Sequence, residues 1–273
     1  MAKETSSQDS VRLKAQQMRA EQARKDRRIK ITIISVVLVV VLGIAAAVAV
    51  VIGQKVSAER AARNVDPVSV FGTFAEGEPI LYSHKGVGQV DDSIPTLVEY
   101  FDYSCHVCVN VDALFGKELT EGADKGEYNI EYRSVRTVDM AYQHAATAAS
   151  LVVAQKAPER WADFHHALMA YFKSQYDNGK GHVVNDADAS YQQVKKIAEQ
   201  VGISADVIGI FPYGSVADHY LDVASQAWRE ATVEGRAGLG TPEFVAHGKA
   251  VKLQGKTGAE LLDSVRAALE VKK

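Results

Sequence analysis

The stretch that decides the fold is TLVEYFDYSCHVC, residues 96–108. It opens with a short apolar and aromatic run, residues 96–103, that predicts a buried β-strand. The two cysteines of the chain, Cys105 and Cys108, follow directly as a C-x-x-C motif. If a helix starts at Cys105, the three-residue spacing places Cys108 one turn along on the same face. The sequence therefore predicts a strand followed by a helix that carries two neighbouring sulfurs.

A cysteine at the start of a helix is acidic for a physical reason. The backbone N–H groups there are unpaired and the helix dipole is positive, so the thiolate of Cys105 is stabilised and its pKa should fall. A protonated His106 adds positive charge beside it. A stabilised thiolate favours the reduced dithiol, which makes the disulfide a stronger oxidant. Cys108, one turn further in, should be less exposed and should resolve a mixed disulfide formed at Cys105.

Other uses of a C-x-x-C motif fit this chain less well. A zinc site needs two more ligands, but there is no third cysteine, and the adjacent His165 and His166 point apart on a regular helix. These two histidines and His144 are expected to pack or to lie on the surface. A haem attachment motif needs a histidine where this chain has Val109. A structural disulfide across so short a loop stabilises little. We therefore expect no metal and no cofactor, and we favour a redox-active pair over an inert one.

A second informative residue is Glu99, which interrupts the apolar strand six residues before Cys105. A buried carboxylate is costly unless it is paired or protonated. Two interpretations stay open. Glu99 lies beneath the dithiol as a proton acceptor, or it lies near a sheet edge and pairs with a base such as Arg133.

The third feature is GTPEF, residues 240–244. A proline is tolerated at the head of a strand. A cis bond between Thr241 and Pro242 would turn the Thr241 backbone outward and offer its N–H and C=O to an extended peptide. The sequence alone favours a trans bond, because cis bonds are uncommon before proline.

Outward from the motif, the sequence predicts an α/β domain in the order strand, helix, strand, helical block, strand hairpin, helix. The second strand is expected over Tyr128 to Val135. From about residue 139 to 235, Ala, Gln, His and Leu dominate, which predicts an inserted helical block. Its helices are expected near 139–155, 158–174 and 188–202, and from Pro212 to about Glu234.

The C-terminal part of the domain is predicted as a hairpin followed by a helix. Phe244 to His247 and Ala250 to Leu253 are expected to pair around a turn at Gly248. Thr257 and Glu260 match a capping box, and apolar residues spaced along one face follow it.

The N-terminal part of the chain predicts a membrane anchor. Residues 31–53, ITIISVVLVVVLGIAAAVAVVIG, are uncharged and exceed the roughly 20 residues that a helix needs to cross a bilayer. The positive-inside rule places the basic residues 1–30 in the cytoplasm and the body outside. A cleaved signal peptide is the alternative, but the apolar run exceeds the usual length of about 7–15 residues. We predict a tail (1–30), a single transmembrane helix (31–53), a stalk (54–79) and a folded domain (80–273).

Charge and composition narrow the function further. Residues 1–30 carry nine Lys/Arg and four Asp/Glu, whereas the rest of the chain carries 22 Lys/Arg and 30 Asp/Glu. An acidic body behind a basic head argues against nucleic-acid binding. Two cysteines exclude a scaffold of several disulfides, and 47% hydrophobic with 24% charged residues excludes wholesale disorder.

Taken together, these features resemble the DsbA-like branch of the thioredoxin superfamily. The resemblance rests on FDYSCHVC (101–108), ERWADFHHALM (159–169) and GLGTPEFVAHGK (238–249), and it covers about residues 80–270. It implies a thioredoxin fold with an inserted helical domain and a cis bond at Thr241-Pro242. It also implies that Cys105 is the nucleophile, with Cys108 as its partner and Glu99 as the buried acid. Thr241 and Pro242 would form the substrate-binding loop.

The resemblance also implies an activity and partners. We expect an extracytoplasmic thiol–disulfide oxidoreductase that introduces disulfides into unfolded exported polypeptides and is reoxidised by a quinone-linked membrane thiol oxidase. One departure bears on the direction of electron flow. Many family members have proline directly after the first cysteine, whereas this chain has His106 followed by Val107. A reductase and an isomerase therefore stay open as alternatives. A non-catalytic binding module also stays open, because a fold alone does not establish an activity.

Overall fold

The computed structural model describes residues 2–271. The chain divides between residues 58 and 59 into an N-terminal and a C-terminal unit. The N-terminal helix α1 is Ala2–Arg63, and within it Arg24–Gln54 is long and apolar enough to cross a membrane, with a mean hydropathy of 3.1 over its most apolar window. This agrees with the apolar helix that the sequence predicts over residues 31–53.

A six-stranded mixed sheet forms the centre of the C-terminal unit. Its strands lie in the order β2-β1-β4-β3-β5-β6, and β3 and β4 are parallel while the other pairs are antiparallel. The strands are β1 (Ile80–Ser83), β2 (Gly86–Val87), β3 (Thr96–Phe101), β4 (Asn129–Ser134), β5 (Glu243–Ala246) and β6 (Lys249–Ala250). The predicted strands match β3 to β6, although β6 has two residues rather than four, and β1 and β2 are additional.

Helices cover this sheet and fill the connection between β4 and β5. In chain order they are α2 (Pro67–Phe71), α3 (His106–Asp124), α4 (Ala141–Lys156), α5 (Trp161–Asp177), α6 (His182–Asn185), α7 (Ala187–Gln200), α8 (Ala205–Gly209), α9 (Asp218–Glu230) and α10 (Gly258–Ala268). The predicted helical block therefore corresponds to α4 through α9. The predicted helix after Pro212 starts as a 3₁₀ turn at Gly214–Ala217 and ends at Glu230. The predicted capping box opens α10, where Thr257 and Glu260 exchange hydrogen bonds.

The predicted stalk differs from the structure. Asp66 caps α2 by accepting from the N–H groups of Val68 and Ser69, and Pro67 occupies the first helical position. The helix and the 3₁₀ turn behind it bury Phe71 and Ala75 in the core. The sequence contains a signal for this helix, because Asp66 and Pro67 precede two apolar residues, Phe71 and Ala75, that lie four positions apart. The boundaries proposed for tail, anchor, stalk and domain stay predictions.

An aromatic core fixes α5 against the sheet. Trp161 is fully buried and donates its indole N–H to the Ser150 hydroxyl of α4 at 2.9 Å. The ring of His165, one turn along α5, stacks on Trp161 with centroids 5.1 Å apart. Helix α3 packs on α5. At Gly116 a Cβ would overlap the Asp112 carboxylate one turn earlier in α3 and would lie 3.2 Å from Cε1 of His166 in α5, so glycine leaves room there for the contact between Asp112 and His166. The core thus holds the start of α3 beside the end of β3.

Candidate active site

Cys105 lies where the spacing predicts, at the N-cap of α3. Its backbone is extended (φ −87°, ψ 117°), and its Sγ accepts from the Cys108 N–H at 3.5 Å. Both cysteines are free thiols, Cys105 being 6% exposed and Cys108 2% exposed. Cys108 is therefore the less exposed of the two cysteines, as predicted.

The two thiols differ in acidity. The hydrogen bond from the Cys108 thiol is the largest cause that lowers the pKa of Cys105 to about 6. Burial opposes this, while Thr241 and the backbone N–H groups of Cys108 and Val107 add to it. Burial raises the pKa of Cys108, and the neighbouring Cys105 raises it further. The site thus separates an acidic outer thiol from an inner thiol that stays protonated.

The loop before β5 brings Thr241 to this thiol. The Thr241-Pro242 bond is cis, as the family resemblance implies. The Cys105 thiol donates to the carbonyl oxygen of Thr241 at 3.3 Å. The loop is closed at its base by Arg236 and Glu243, which pair through two hydrogen bonds of 2.7 and 2.8 Å. Trp228 adds a third donor to Glu243 at 2.7 Å. We call residues 236–243 the cis-proline loop.

Asp102 is a structural residue of the site that sequence reasoning missed. It is fully buried and accepts from the backbone N–H groups of Ser104 (2.7 Å), Thr137 (2.9 Å) and Val138 (2.8 Å). Its own carbonyl accepts from the Cys105 N–H at 3.0 Å. The signal was present, because Asp followed two residues later by Ser is typical of an Asx turn. Asp102 thus connects the turn before Cys105 with the segment after β4 through hydrogen bonds to both.

His106 lies exposed at the rim rather than beneath the thiols. Its ring stacks on Tyr176, near the end of α5, with centroids 5.0 Å apart and an interplanar angle of 12°. Tyr176 is 54% exposed. The inserted helical block therefore contributes an aromatic surface beside the C-x-x-C motif. Nothing in the local sequence pairs these two residues, which lie 70 positions apart.

Glu99 is buried on β3, and no cation of the described residues pairs with it. Burial is the main reason why its pKa is raised to about 8, and the negative charge of Asp112 adds to the rise. Within residues 2–271 no hydrogen bond or ion pair satisfies its carboxyl group. The pairing with Arg133 that was one of our two predictions is wrong. Arg133 is in register with Tyr100, on the opposite face from Glu99, and it pairs with Glu131 at 2.8 Å.

Two neighbouring histidines and Asp112 form a buried cluster between α3 and α5. His165 contacts the Tyr103 hydroxyl through Nδ1 at 3.0 Å, and His166 contacts Asp112 through Nδ1 at 2.7 Å. We expected the adjacent His165 and His166 to point apart on a regular helix. Potential ligand atoms of these two histidines and of Asp112 nevertheless lie within 4.8 Å of one another. Because both Nδ1 atoms already have hydrogen-bond partners, the cluster is connected by its own contacts. Burial lowers the pKa of His165 well below its usual range, so this ring packs as a neutral group.

The fold and the dithiol define a class of protein. The chain has the DsbA-like thioredoxin fold with an inserted helical block and a C-x-x-C motif at the start of a helix, as the sequence predicts.

Comparison with solved structures finds the same fold. The chain is similar to MdbA, a thiol–disulfide oxidoreductase of Actinomyces oris, with a TM-score of 0.54 and 21% identity over 64% of this chain and 81% of that one. It is similar to reduced DsbA of Mycobacterium tuberculosis, with a TM-score of 0.53 and 18% identity over 70% of this chain and 92% of that one. For MdbA of Corynebacterium diphtheriae the TM-score is 0.50, with 19% identity over 72% and 99%. No protein-family model matches the chain, and no curated protein matches it. At these identities the likeness establishes the fold.

Proposed function

We propose that this protein is an extracytoplasmic thiol–disulfide oxidoreductase that introduces disulfides into exported polypeptides. The observation that carries the proposal is the Cys105 thiol at the N-cap of α3, whose pKa is lowered to about 6 beside a buried partner thiol. The solved structures that share the fold include proteins described as thiol–disulfide oxidoreductases. A low thiol pKa supports an oxidant, because it stabilises the reduced protein.

The reaction follows from the two sulfurs. In the oxidised protein Cys105 and Cys108 share a disulfide, and a client thiolate attacks Sγ of Cys105. A mixed disulfide forms, the Cys105–Cys108 bond breaks, and Cys108 leaves with the electron pair and takes up a proton. A second client thiolate then attacks the client sulfur of the mixed disulfide, and Cys105 leaves as a thiolate. Two electrons pass from the client to the protein, and the client gains one disulfide.

The acidity of Cys105 favours the second displacement. A thiol with a low pKa is a better leaving group, and at neutral pH the Cys105 thiolate needs no proton. Its contacts with the N–H groups at the start of α3 stabilise the charge as it forms. His106, which follows it at the rim, adds positive charge there when protonated.

Glu99 is proposed as the proton-handling group for Cys108. Asp112 acts on the Glu99 carboxyl from α3, and Cys108 lies four residues before Asp112 on the same face of that helix. With a pKa of about 8, Glu99 is mostly protonated at neutral pH. It can give a proton to Cys108 as that sulfur leaves, and accept one when the disulfide forms again.

The rim of the site supports peptide clients. Exposed apolar side chains flank the site residues: Val107 is 43%, Val138 43%, Leu239 52% and Tyr176 54% exposed. Such surface is expected where unfolded chains are bound through their apolar side chains. We propose that Thr241 and Pro242 bind the client backbone beside Cys105.

A membrane anchor and a membrane partner complete the proposal. Within the span Arg24–Gln54, the uncharged residues 31–53 would hold the protein in the membrane, with residues 1–30 in the cytoplasm and the dithiol outside. Because each cycle leaves a reduced dithiol, a membrane thiol oxidase linked to quinones is proposed as the electron acceptor.

The test uses the full chain, purified in detergent and oxidised, with a peptide that contains two thiols. We expect peptide oxidation by the wild-type protein and none by Cys105→Ala. Cys108→Ala is expected to accumulate mixed disulfides with clients through Cys105. Equal peptide oxidation by wild type and Cys105→Ala would contradict the proposal.

A further inference from the structure

The middle of the cis-proline loop is not fixed by its own backbone. Residues 237–240, with the sequence AGLG, are exposed. In the part of the chain that the structure describes, these four residues make no backbone hydrogen bond. The position of the loop therefore depends on the contacts at its two ends.

The two ends are held to each other by one pair of side chains. Arg236, the first residue of the loop, donates from Nε to Oε1 of Glu243 at 2.7 Å and from Nη2 to Oε2 at 2.8 Å. Trp228 donates its indole N–H to the same Oε2 at 2.7 Å. Three donors thus fix the carboxylate of Glu243, the residue that directly follows Pro242.

Arg236 also holds the loop to the inserted helical block. Its Nη1 donates to the carbonyl oxygens of Trp228 at 3.2 Å and of Ala231 at 2.9 Å. Both oxygens lie at the C-terminal end of α9, where carbonyl groups lack partners within the helix and a cation is favourable. One planar guanidinium therefore connects α9, the start of the loop and its end. A lysine keeps the charge but lacks the fork of donors that makes these contacts together.

The part of the loop next to Glu243 reaches the reactive thiol. Thr241 accepts from the Cys105 thiol through its carbonyl oxygen at 3.3 Å, and its hydroxyl lies 2.9 Å from that of Thr137. A peptide that binds here by backbone hydrogen bonds needs those groups at a fixed place relative to the sulfur.

We infer that Arg236 is a positioning residue that holds, through Glu243, the client-binding groups of the cis-proline loop beside Cys105. The inference rests on the proposed function, because it concerns how a client binds at that site. It separates two kinds of substrate. A peptide uses the backbone of the loop, whereas a small dithiol reaches Sγ of Cys105 without it, so the pair acts on the peptide alone.

The test follows a single turnover of the oxidised full chain in detergent. The protein is mixed with excess reduced peptide that contains two cysteines, and in parallel with dithiothreitol. For Arg236→Lys we expect the half-saturating peptide concentration to rise about tenfold, the equivalent of one well-placed hydrogen bond, while the limiting rate changes less than twofold. The rate with dithiothreitol is expected to match wild type.

Arg266→Lys is the matched control. Arg266 pairs with Glu127 by the same two-bond geometry, at 2.7 and 2.9 Å. Glu127 precedes β4, which runs parallel to β3, so this pair lies at the end of the sheet opposite to Cys105. We expect wild-type behaviour toward both substrates.

A second variant shows whether the two residues act as a unit. Glu243→Gln removes the charge at similar volume and is expected to raise the half-saturating peptide concentration as well. If Arg236 acts through Glu243, the double variant is affected no more than the stronger single variant. Thermal unfolding checks that each variant is folded at the temperature of the assay.

The outcomes that overturn the inference differ from those that overturn the proposed function. A wild-type response of Arg236→Lys to the peptide would refute the role of Arg236. An equal loss with peptide and dithiothreitol would also refute it, because the pair would then act on the dithiol itself. A wild-type protein that does not oxidise the peptide would instead overturn the proposed function, and the inference with it.

Discussion

The thiol of Cys105 lies 3.3 Å from the carbonyl oxygen of Thr241, although 136 residues separate them in the chain. This contact joins the start of α3 to the cis-proline loop. It places the more acidic of the two thiols beside the backbone that we propose to bind the client peptide. The site is thus assembled from two ends of the fold, with the helical block between them in sequence.

The acidity of Cys105 should depend on its partner cysteine. The hydrogen bond from Cys108 is the largest cause of the low pKa, so Cys108→Ala is expected to raise the pKa of Cys105 from about 6 toward its ordinary value. The rate of alkylation against pH measures this directly, because Cys105 is then the sole cysteine of the chain. Cys108→Ser keeps a hydroxyl donor and serves as the control. If Cys108→Ala leaves the pKa near 6, the helix start and the loop suffice without the partner thiol.

Glu99 should make stability depend on pH. Its pKa is raised in the folded protein from 4.5 to about 8, so the folded state holds a proton that the unfolded state releases. The stabilisation is complete below about pH 4.5 and is lost as the pH rises through about 8. We expect the free energy of unfolding of wild type, relative to Glu99→Gln, to fall by roughly 2–4 kcal/mol across that window. Denaturant unfolding at several pH values measures it, and a constant difference between the two proteins would contradict a buried, unpaired carboxyl.

The stability of the protein should depend on the buried ion pair between Arg236 and Glu243 at the base of the cis-proline loop. The side chains of Arg236 and Glu243 are 13% and 9% exposed, and Arg236→Ala leaves the Glu243 charge uncompensated. We expect a loss of about 3 kcal/mol in the free energy of unfolding. Lys125→Ala is the matched control, because its pair with Glu121 is exposed on both sides and should contribute less than about 1 kcal/mol. Similar losses in the two variants would show that the loop pair has no special role.

We expect the exposed ring of Tyr176 to contribute to the binding of client peptides. Its ring stacks on His106, the residue that follows Cys105, and is half exposed, so Tyr176→Ala removes exposed aromatic surface at the start of α3. We expect kcat/KM for peptide oxidation to fall by roughly 5- to 30-fold, the loss of 1–2 kcal/mol at a binding surface. Tyr176→Phe keeps the ring and is expected to stay near wild type. An unchanged rate in Tyr176→Ala would place the client elsewhere.

Elements of the fold and of the site were predictable where the residues that determine them lie within a few positions of one another in the sequence. The buried run before Cys105 and the i, i+3 spacing of the cysteines fixed β3 and the start of α3, and Thr257 with Glu260 fixed the start of α10. The choice between two roles for Glu99 needed the sheet register. Which face a strand residue occupies relative to Arg133 depends on how β3 and β4 pair, and a single sequence does not give that register.

The contacts that join distant segments were not predictable. Thr137 meets Thr241 across 104 positions, and His106 meets Tyr176 only because α5 ends beside α3. Phe71 was assigned to a stalk because a single buried aromatic residue in a short helix makes no sustained period. In each case the contact depends on how whole helices and strands pack together, and the spacing of neighbouring residues in the sequence does not indicate it.

The most direct test of the central claim is the equilibrium of the Cys105–Cys108 pair with glutathione buffers, measured on the full chain. An acidic outer thiol stabilises the reduced protein, so we expect a potential above about −200 mV, in the range of oxidising members of this fold class. A potential near −270 mV, as in a reducing thioredoxin, would contradict the oxidase and support a reductase. A pair that does not form a disulfide at any buffer ratio would contradict redox activity altogether.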